Sequence, residues 1–257
     1  MKSKLENVGL ALLALFVSAQ INATEVQIRT NLGNFNVNLF DTRTPVTVDN
    51  FLAYANAGAY AQTIVHRSEP GFVIQSGGFV FSDTAGFEEI PTGNAIANEP
   101  ELSNVRGTIA MAKLPSDENS ATSQWFINLD DNSANLDVQN GGFTVFGQVI
   151  GEGMDVVDAI ASLPRFSTGS FSALPLRDYT ASDASNNVTI TRENMVIIED
   201  IVIVNDAQVT NPDITPVANT RIDQLPTTPD TGSSGGAVWY LLAPLFMLAV
   251  RRALKRL

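Results

Sequence analysis

The stretch that most constrains this chain is Val65 to Phe79, VHRSEPGFVIQSGGF. It sets a cationic side chain, Arg67, ahead of a Pro70-Gly71 turn, an apolar pair, Phe72-Val73, and then Gln75. In an extended strand residues two apart share a face, so Val73 and Gln75 point the same way. Gly77-Gly78 then lets the backbone leave the strand through φ values that other residues avoid. Arginine carries a fixed fork of donors, and here that fork stands beside an apolar patch and an amide. Taken alone, the stretch fits a structural arginine paired with a surface carboxylate equally well.

A second stretch, Gly107 to Ile127, begins like a strand at Thr108, Ile109 and Met111, passes through a polar loop, and ends in Ser123-Gln124-Trp125-Phe126-Ile127. A third, Gly142 to Gly147, reads GFTVFG. Together the three resemble the cyclophilin family of peptidyl-prolyl isomerases. The family's HR-x-x-PGF-x-x-Q-x-GG pattern stands here as His66 to Gly78, its SQFFI as SQWFI, and its VFG as Val145-Phe146-Gly147. Order and approximate spacing match as well. The resemblance covers about Thr24 to Asp206 and is nearest the bacterial periplasmic branch. It implies a mainly β fold, a closed antiparallel eight-stranded β-barrel capped by two α-helices.

The resemblance also implies roles. Arg67 would donate to the proline nitrogen as the amide twists, and Gln75 would bind the substrate backbone or orient Arg67. Phe72, Val73, Phe126, Leu136 and Phe143 would line the pocket for the proline ring. Ala112 and Lys113 match the segment whose backbone pairs with substrate, and Gln124 lies on the adjacent groove wall. Core packing is the competing reading for each aromatic. Against the eukaryotic pattern, Val73 replaces Met, Lys113 replaces Asn, Asn135 replaces Trp and Phe143 replaces His. The Trp position matters for cyclosporin, so weak cyclosporin binding is expected. Such chemistry needs no cofactor and no metal. A barrel that holds proline segments without turnover is the alternative, and intact Arg67, Phe72, Gln75 and Phe126 favour the enzyme.

The flanks read differently from the middle. Met1 to Ala23 has Lys2 and Lys4 before an apolar run, then small residues. This is the pattern of a secretory signal peptide, with signal peptidase as the implied partner and cleavage at Ala23, or alternatively Ala19. A buried N-terminal helix is the competing reading. The chain has no Cys, so stability must come from an ordinary core rather than disulfides. Between Thr24 and Val250 there are nine basic and twenty-six acidic residues, a net of −17. Phosphate backbones would repel such a domain, so no nucleic-acid partner is expected; proline-containing polypeptides are, and the domain is expected to be a monomer.

The domain itself opens with a hairpin, Glu25 to Thr30 and Asn34 to Phe40, alternating apolar and polar residues. A helix follows, with Thr44 as N-cap and Pro45 in its first turn. Its apolar face is Val48, Phe51, Leu52 and Ala55, and Gly58 stops it. Phe79 to Arg106, Leu114 to Thr122 and Asp130 to Gly142 read as loops. A second helix is expected over Gly153 to Leu163, an irregular stretch over Phe166 to Asn187, a short strand at Val188 to Ile190, and a closing strand from Met195 to Val204. His66, the only histidine, lacks the companions of a hydrolase or zinc site and reads as structural.

Ala207 to Ser234 has the composition of a flexible linker. Gly235-Gly236, an apolar run from Ala237 to Val250 and a basic end at Arg251, Arg252, Lys255 and Arg256 complete the chain. Fourteen apolar-run residues fall short of the roughly 20 a spanning helix needs. The order resembles a GlyGly C-terminal sorting signal, which implies a rhomboid-type protease partner and a transient membrane anchor, with the protein exported to the periplasm or cell surface. A plain anchor is the competing reading.

Overall fold

The computed structural model describes residues 24–205 and 214–224. The expected signal peptide, and the expected sorting segment at 235–257, lie outside them. Strands β1 (Glu25–Thr30) and β2 (Gly33–Leu39) form the opening hairpin, with Thr30 opposite Gly33. The period-2 pattern decides which face is covered: Val26, Ile28, Phe35, Val37 and Leu39 are all buried. Helix α1 (Pro45–Asn56) follows, with Pro45 in its first turn. Thr44 precedes it, but its hydroxyl makes no capping bond. The Glu99 carboxylate caps the helix instead, accepting from the backbone N–H groups of Val46 and Thr47 at 3.2 and 2.9 Å and from the Thr47 hydroxyl at 2.7 Å. Val48 and Phe51 are buried beneath the helix, whereas Leu52 and Ala55 are half-buried at its margin.

Eleven strands form one sheet, not the eight expected. In chain order the next are β3 (Thr63–Ile64), β4 (Arg67–Glu69), β5 (Val73–Ser76), β6 (Phe79–Ser82) and β7 (Gly86–Glu89). Then come β8 (Thr108–Met111), β9 (Trp125–Asn128), β10 (Val145–Ile150) and, last in the chain, β13 (Ile197–Asn205). The hydrogen-bonded order is β4-β5-β9-β8-β10-β2-β1-β13-β3-β6-β7. Two features raise the count. The strand bearing Arg67 is broken at Val65-His66, so β3 pairs with β13 while β4 pairs with β5. The stretch expected to be loop after Phe79 forms the β6–β7 hairpin.

Four α-helical segments occur among the described residues, of which α1 and α3 (Gly153–Ala161) are the long ones. α2 (Ser133–Leu136) and α4 (Ala181–Ser185) are single turns. The stretch from Phe166 to Asn187 is not irregular. It holds a second, two-stranded sheet, β11 (Arg165–Thr168) with β12 (Phe171–Pro175), and then α4, whose Thr180 and Asp183 make a reciprocal capping box. Val188 to Ile190 forms no strand. Among the described residues no helix is long and apolar enough to cross a membrane.

Part of the expected linker is held against the domain. Val217 C=O accepts from Ser103 N–H at 2.8 Å, and Asn219 N–H donates to Glu101 C=O at 2.8 Å. The main core lies between the sheet and the helices α1 and α3, where Phe51, Phe146, Val157 and Ile160 meet the inward faces of β1 and β2. Burying a Phe or Ile side chain contributes roughly 1.5–3 kcal/mol each, which lets a chain without disulfides stand on packing alone.

Candidate active site

Strand pairing assembles the site. The antiparallel register sets Arg67 of β4 opposite Gln75 of β5, Gln75 opposite Phe126 of β9, and Phe126 opposite Ala110 of β8. Residues directly opposite one another stand side by side, so two motifs distant in sequence form one row. A second row, two residues along, runs Glu69, Val73, Asn128.

Arg67 is 6 % exposed. Its Nε lies 3.6 Å from Glu69 Oε1, and its guanidinium carbon lies 5.8 Å from the centre of the Phe72 ring. None of its three nitrogens has a hydrogen-bond partner. Burial lowers the guanidinium's pKa, and the neighbouring Glu69 carboxylate opposes that shift. Gln75 does not reach Arg67. Its Nε2 donates to Gln124 Oε1 at 2.8 Å. Gln124 can come this close because Gly78 has no Cβ: one placed there would lie 2.7 Å from the Gln124 side chain. Gly77, at φ +80°, leaves room in the same way for Ser123 C=O, which Tyr60 OH holds at 2.9 Å.

The apolar residues expected to line a pocket come together as one cluster. Val73, Phe126, Leu136 and Phe143 are buried side by side with Phe40, Leu102, Ala110 and Val145, and half-buried Phe72 and Ala112 pack on them. Phe126 and Phe143 meet edge to face with ring centres 5.8 Å apart. Beside this cluster lies a groove of about 250 Å³ lined by Gln75, Ala112, Lys113 and Gln124, together with Glu89 and Ile90. Ala112 N–H is engaged by Gln124 C=O at 2.9 Å.

Lys113 does not extend into solvent. Its Nζ donates to the carbonyls of Asn140 and Gly142 at 2.8 and 2.6 Å and sits 4.9 Å from the Phe143 ring centre. Burial pulls its pKa down to about 8, against the pull of Glu118 and Asp117. His66 is structural in its surroundings, set edge-on to Phe79 and tilted against Phe171 with ring centres 4.9 and 5.7 Å away. Burial holds it neutral, with its pKa down to about 3.

The geometry matches a family. The model of the cyclophilin type peptidyl-prolyl cis-trans isomerases matches residues 25–192. The chain belongs to that family. A peptidyl-prolyl cis-trans isomerase of Acinetobacter baylyi is 42 % identical over 175 residues, covering 66 % of this chain and 90 % of that protein. Peptidyl-prolyl cis-trans isomerase B of Escherichia coli is 40 % identical over 159 residues, covering 60 % and 93 %. The crystal structure of a Cryptosporidium parvum cyclophilin type isomerase is similar with a TM-score of 0.51 at 28 % identity, covering 71 % of this chain and 98 % of that one. The same protein in the presence of the dipeptide Ala-Pro gives 0.50 at 29 %, covering 70 % and 99 %. The protein is thus an isomerase of the cyclophilin type.

Two residues that sequence reading passed over stand in this site. Glu69 is the only ion-pair partner of Arg67 among the described residues. Its place two residues along the same strand was readable as a shared face. Phe171, from the β11–β12 hairpin, packs on His66 beside Arg67, and no local pattern links it to that strand.

Proposed function

We propose that the chain accelerates rotation about X-Pro bonds of polypeptides outside the cytoplasm, with Arg67 as the group that acts on the twisted amide. The observation that carries this reading is the buried, unbonded guanidinium of Arg67, set in one row with Gln75 and Phe126 and flanked by the apolar cluster. The peptide C–N bond resists rotation by roughly 18–20 kcal/mol, and before proline its two isomers lie within about 1 kcal/mol. A catalyst must therefore bind the twisted amide better than either planar form.

In the twisted state the proline nitrogen becomes pyramidal and gains a lone pair. A preorganised donor aimed at it stabilises only that state. Phe72, Val73, Phe126, Leu136 and Phe143 hold the ring, Gln75 and Gln124 bind the flanking backbone, and Ala112 and Lys113 border it. No metal or cofactor takes part. The presence of Ala-Pro with the related Cryptosporidium protein is in keeping with this substrate class. Continuity of the chain from β3 through Val65-His66 into β4, with Val65 N–H donating to Val196 C=O and His66 N–H to Gln75 C=O, supports a sheet closed into a barrel through that strand.

Residues 1–23 direct export and are removed by signal peptidase. The segment 235–257 serves as a transient anchor removed by a rhomboid-type protease. Two experiments test the reading. Arg67→Ala, in a protease-coupled assay, lowers kcat/KM at least about tenfold, or ~1.4 kcal/mol, with the fold kept; full activity would refute the role of Arg67. Mass spectrometry of protein from native cells finds the C-terminus near Ser234 to Ala237; intact Leu257 on most molecules would refute the sorting reading.

A further inference from the structure

Residues 214–224 lie beyond the last strand of the sheet, yet they are bonded to the loops that carry the apolar cluster. Besides the two backbone bonds to Glu101 and Ser103, the Asn219 side chain donates to Asp137 C=O at 2.9 Å and to Pro100 C=O at 3.1 Å. Ile214 packs on the cluster that contains Val73, Phe126, Leu136 and Phe143. Ile222 Cδ1 lies 3.1 Å from where a Cβ on Gly142 would stand. The strap thus touches the chain immediately after Leu136 and immediately before Phe143.

We propose that residues 214–224 form a strap that positions the wall of the proline pocket, with Asn219 as its positioning residue. The proposal rests on the assignment of Leu136 and Phe143 to that pocket. The loop they flank, entered from the single turn of α2, has little regular structure: a 3-10 turn with Asn140 at φ +52°, and two positive-φ glycines. Its shape is imposed from outside. The Asp137 carboxylate, 1 % exposed, accepts from Ser103 Oγ, Asn104 N and Asn104 Nδ2 at 2.6, 2.7 and 3.1 Å. Asn104 Nδ2 also donates to Phe143 C=O at 3.0 Å. Asn219 completes this network by tying the carbonyls of Pro100 and Asp137 together. The two amide hydrogens of this one side chain meet both carbonyls.

The strap does not act chiefly by adding core. Val217 is 53 % exposed, and the hydrogen bonds of Asn219 and the backbone stand beside only two apolar contacts, those of Ile214 and Ile222. Arg67 stands on β4, and none of the strap contacts described above reaches it. Loosening the strap therefore changes how well the ring is held and leaves the rotation step itself in place.

The test uses the full chain with Asn219→Ala and with Asn219→Asp, which keeps the shape but offers a carboxylate to two carbonyls. Peptide affinity is read by NMR titration with a tetrapeptide containing one Ala-Pro bond, and KM and kcat by exchange line shapes. The expected result is an affinity loss and KM rise of about fivefold, with kcat within about twofold. Amide exchange of Leu136 and Phe143 accelerates while that of β1 holds. Ile222→Ala, which removes only a side-chain end, gives the same pattern more weakly and serves if the Asn219 variants unfold. Unchanged affinity and unchanged exchange in all three variants would overturn the strap. The titration reads the strap even if the unaltered chain shows no turnover, an outcome that would strike the proposed function instead.

Discussion

Gln75 gives its side-chain amide to Gln124, at 2.8 Å, and not to Arg67. The bond spans the groove wall and fixes the face that Gln75 presents to a bound backbone. Removing its acceptor with Gln124→Ala frees Gln75 to rotate. We expect kcat/KM to fall about threefold to tenfold, the worth of one hydrogen bond, with the melting temperature little changed because Gln124 is half-buried. Isomerisation assays and thermal melts on the same preparations decide it.

Arg67 and Glu69 are a partly shielded pair, with side chains 8 % and 24 % exposed. Glu69→Gln strands the guanidinium without its counter-charge. A fully buried pair broken this way costs about 3–5 kcal/mol; with Glu69 open to water and 3.6 Å away, about 1 kcal/mol is the expected loss. Urea denaturation measures it. The same substitution made in an Arg67→Ala background should have almost no effect, and an equal loss there would show that the two side chains are not coupled.

His66 sets an acid limit. Its folded pKa of about 3 lies below the ordinary 6.5, chiefly through burial, with Arg67 adding to the shift and the Ile64 backbone and Gln124 side chain opposing it. Below pH 6.5 the unfolded chain takes up a proton that the folded chain refuses, so stability falls as pH drops from about 6.5 toward 3. By pH 4 the loss from this group is on the order of 3 kcal/mol. Denaturation curves of His66→Phe should show a shallower slope across that window; an identical slope would contradict the buried neutral imidazole.

Phe171 ties the β11–β12 hairpin to the strand of Arg67. Its ring lies 5.7 Å from His66, 5.0 Å from Phe79 and 4.8 Å from Phe87, centre to centre. Phe171→Ala should destabilise by about 3 kcal/mol and also lower kcat/KM, because β4 loses its outer support. Deleted support without an activity change, at a temperature where the variant is folded, would confine the hairpin to a stabilising role.

That Arg67, Gln75 and Phe126 belong to one site was legible from the order of the family motifs, while strand parity alone placed Val73 and Gln75 on one face; the pairing of Gln75 with Phe126 across β5 and β9 needed the structure. The break at Val65-His66 was not legible either, since two residues that bend a strand look like any others. Thr180-x-x-Asp183 is a capping pattern that could have revealed α4. Other contacts came from distant loops meeting: Phe171 with His66, Asn104 with Asp137, Asn219 with both Pro100 and Asp137. Composition marked 207–234 as linker because Pro, Thr and Asn lack apolar mass, yet backbone bonds and one asparagine hold its middle to the domain.

The carboxylate at the start of α1 belongs to Glu99, more than forty residues past the helix's end. A twelve-residue helix is marginal by itself in water, and this one has no side-chain cap from Thr44. Its first turn is completed only when the chain through β3 to β7 has come round. The cap, worth about 1 kcal/mol, thus reaches α1 only through a contact long-range in sequence, which ties the stability of the helix to the loop that carries Glu99.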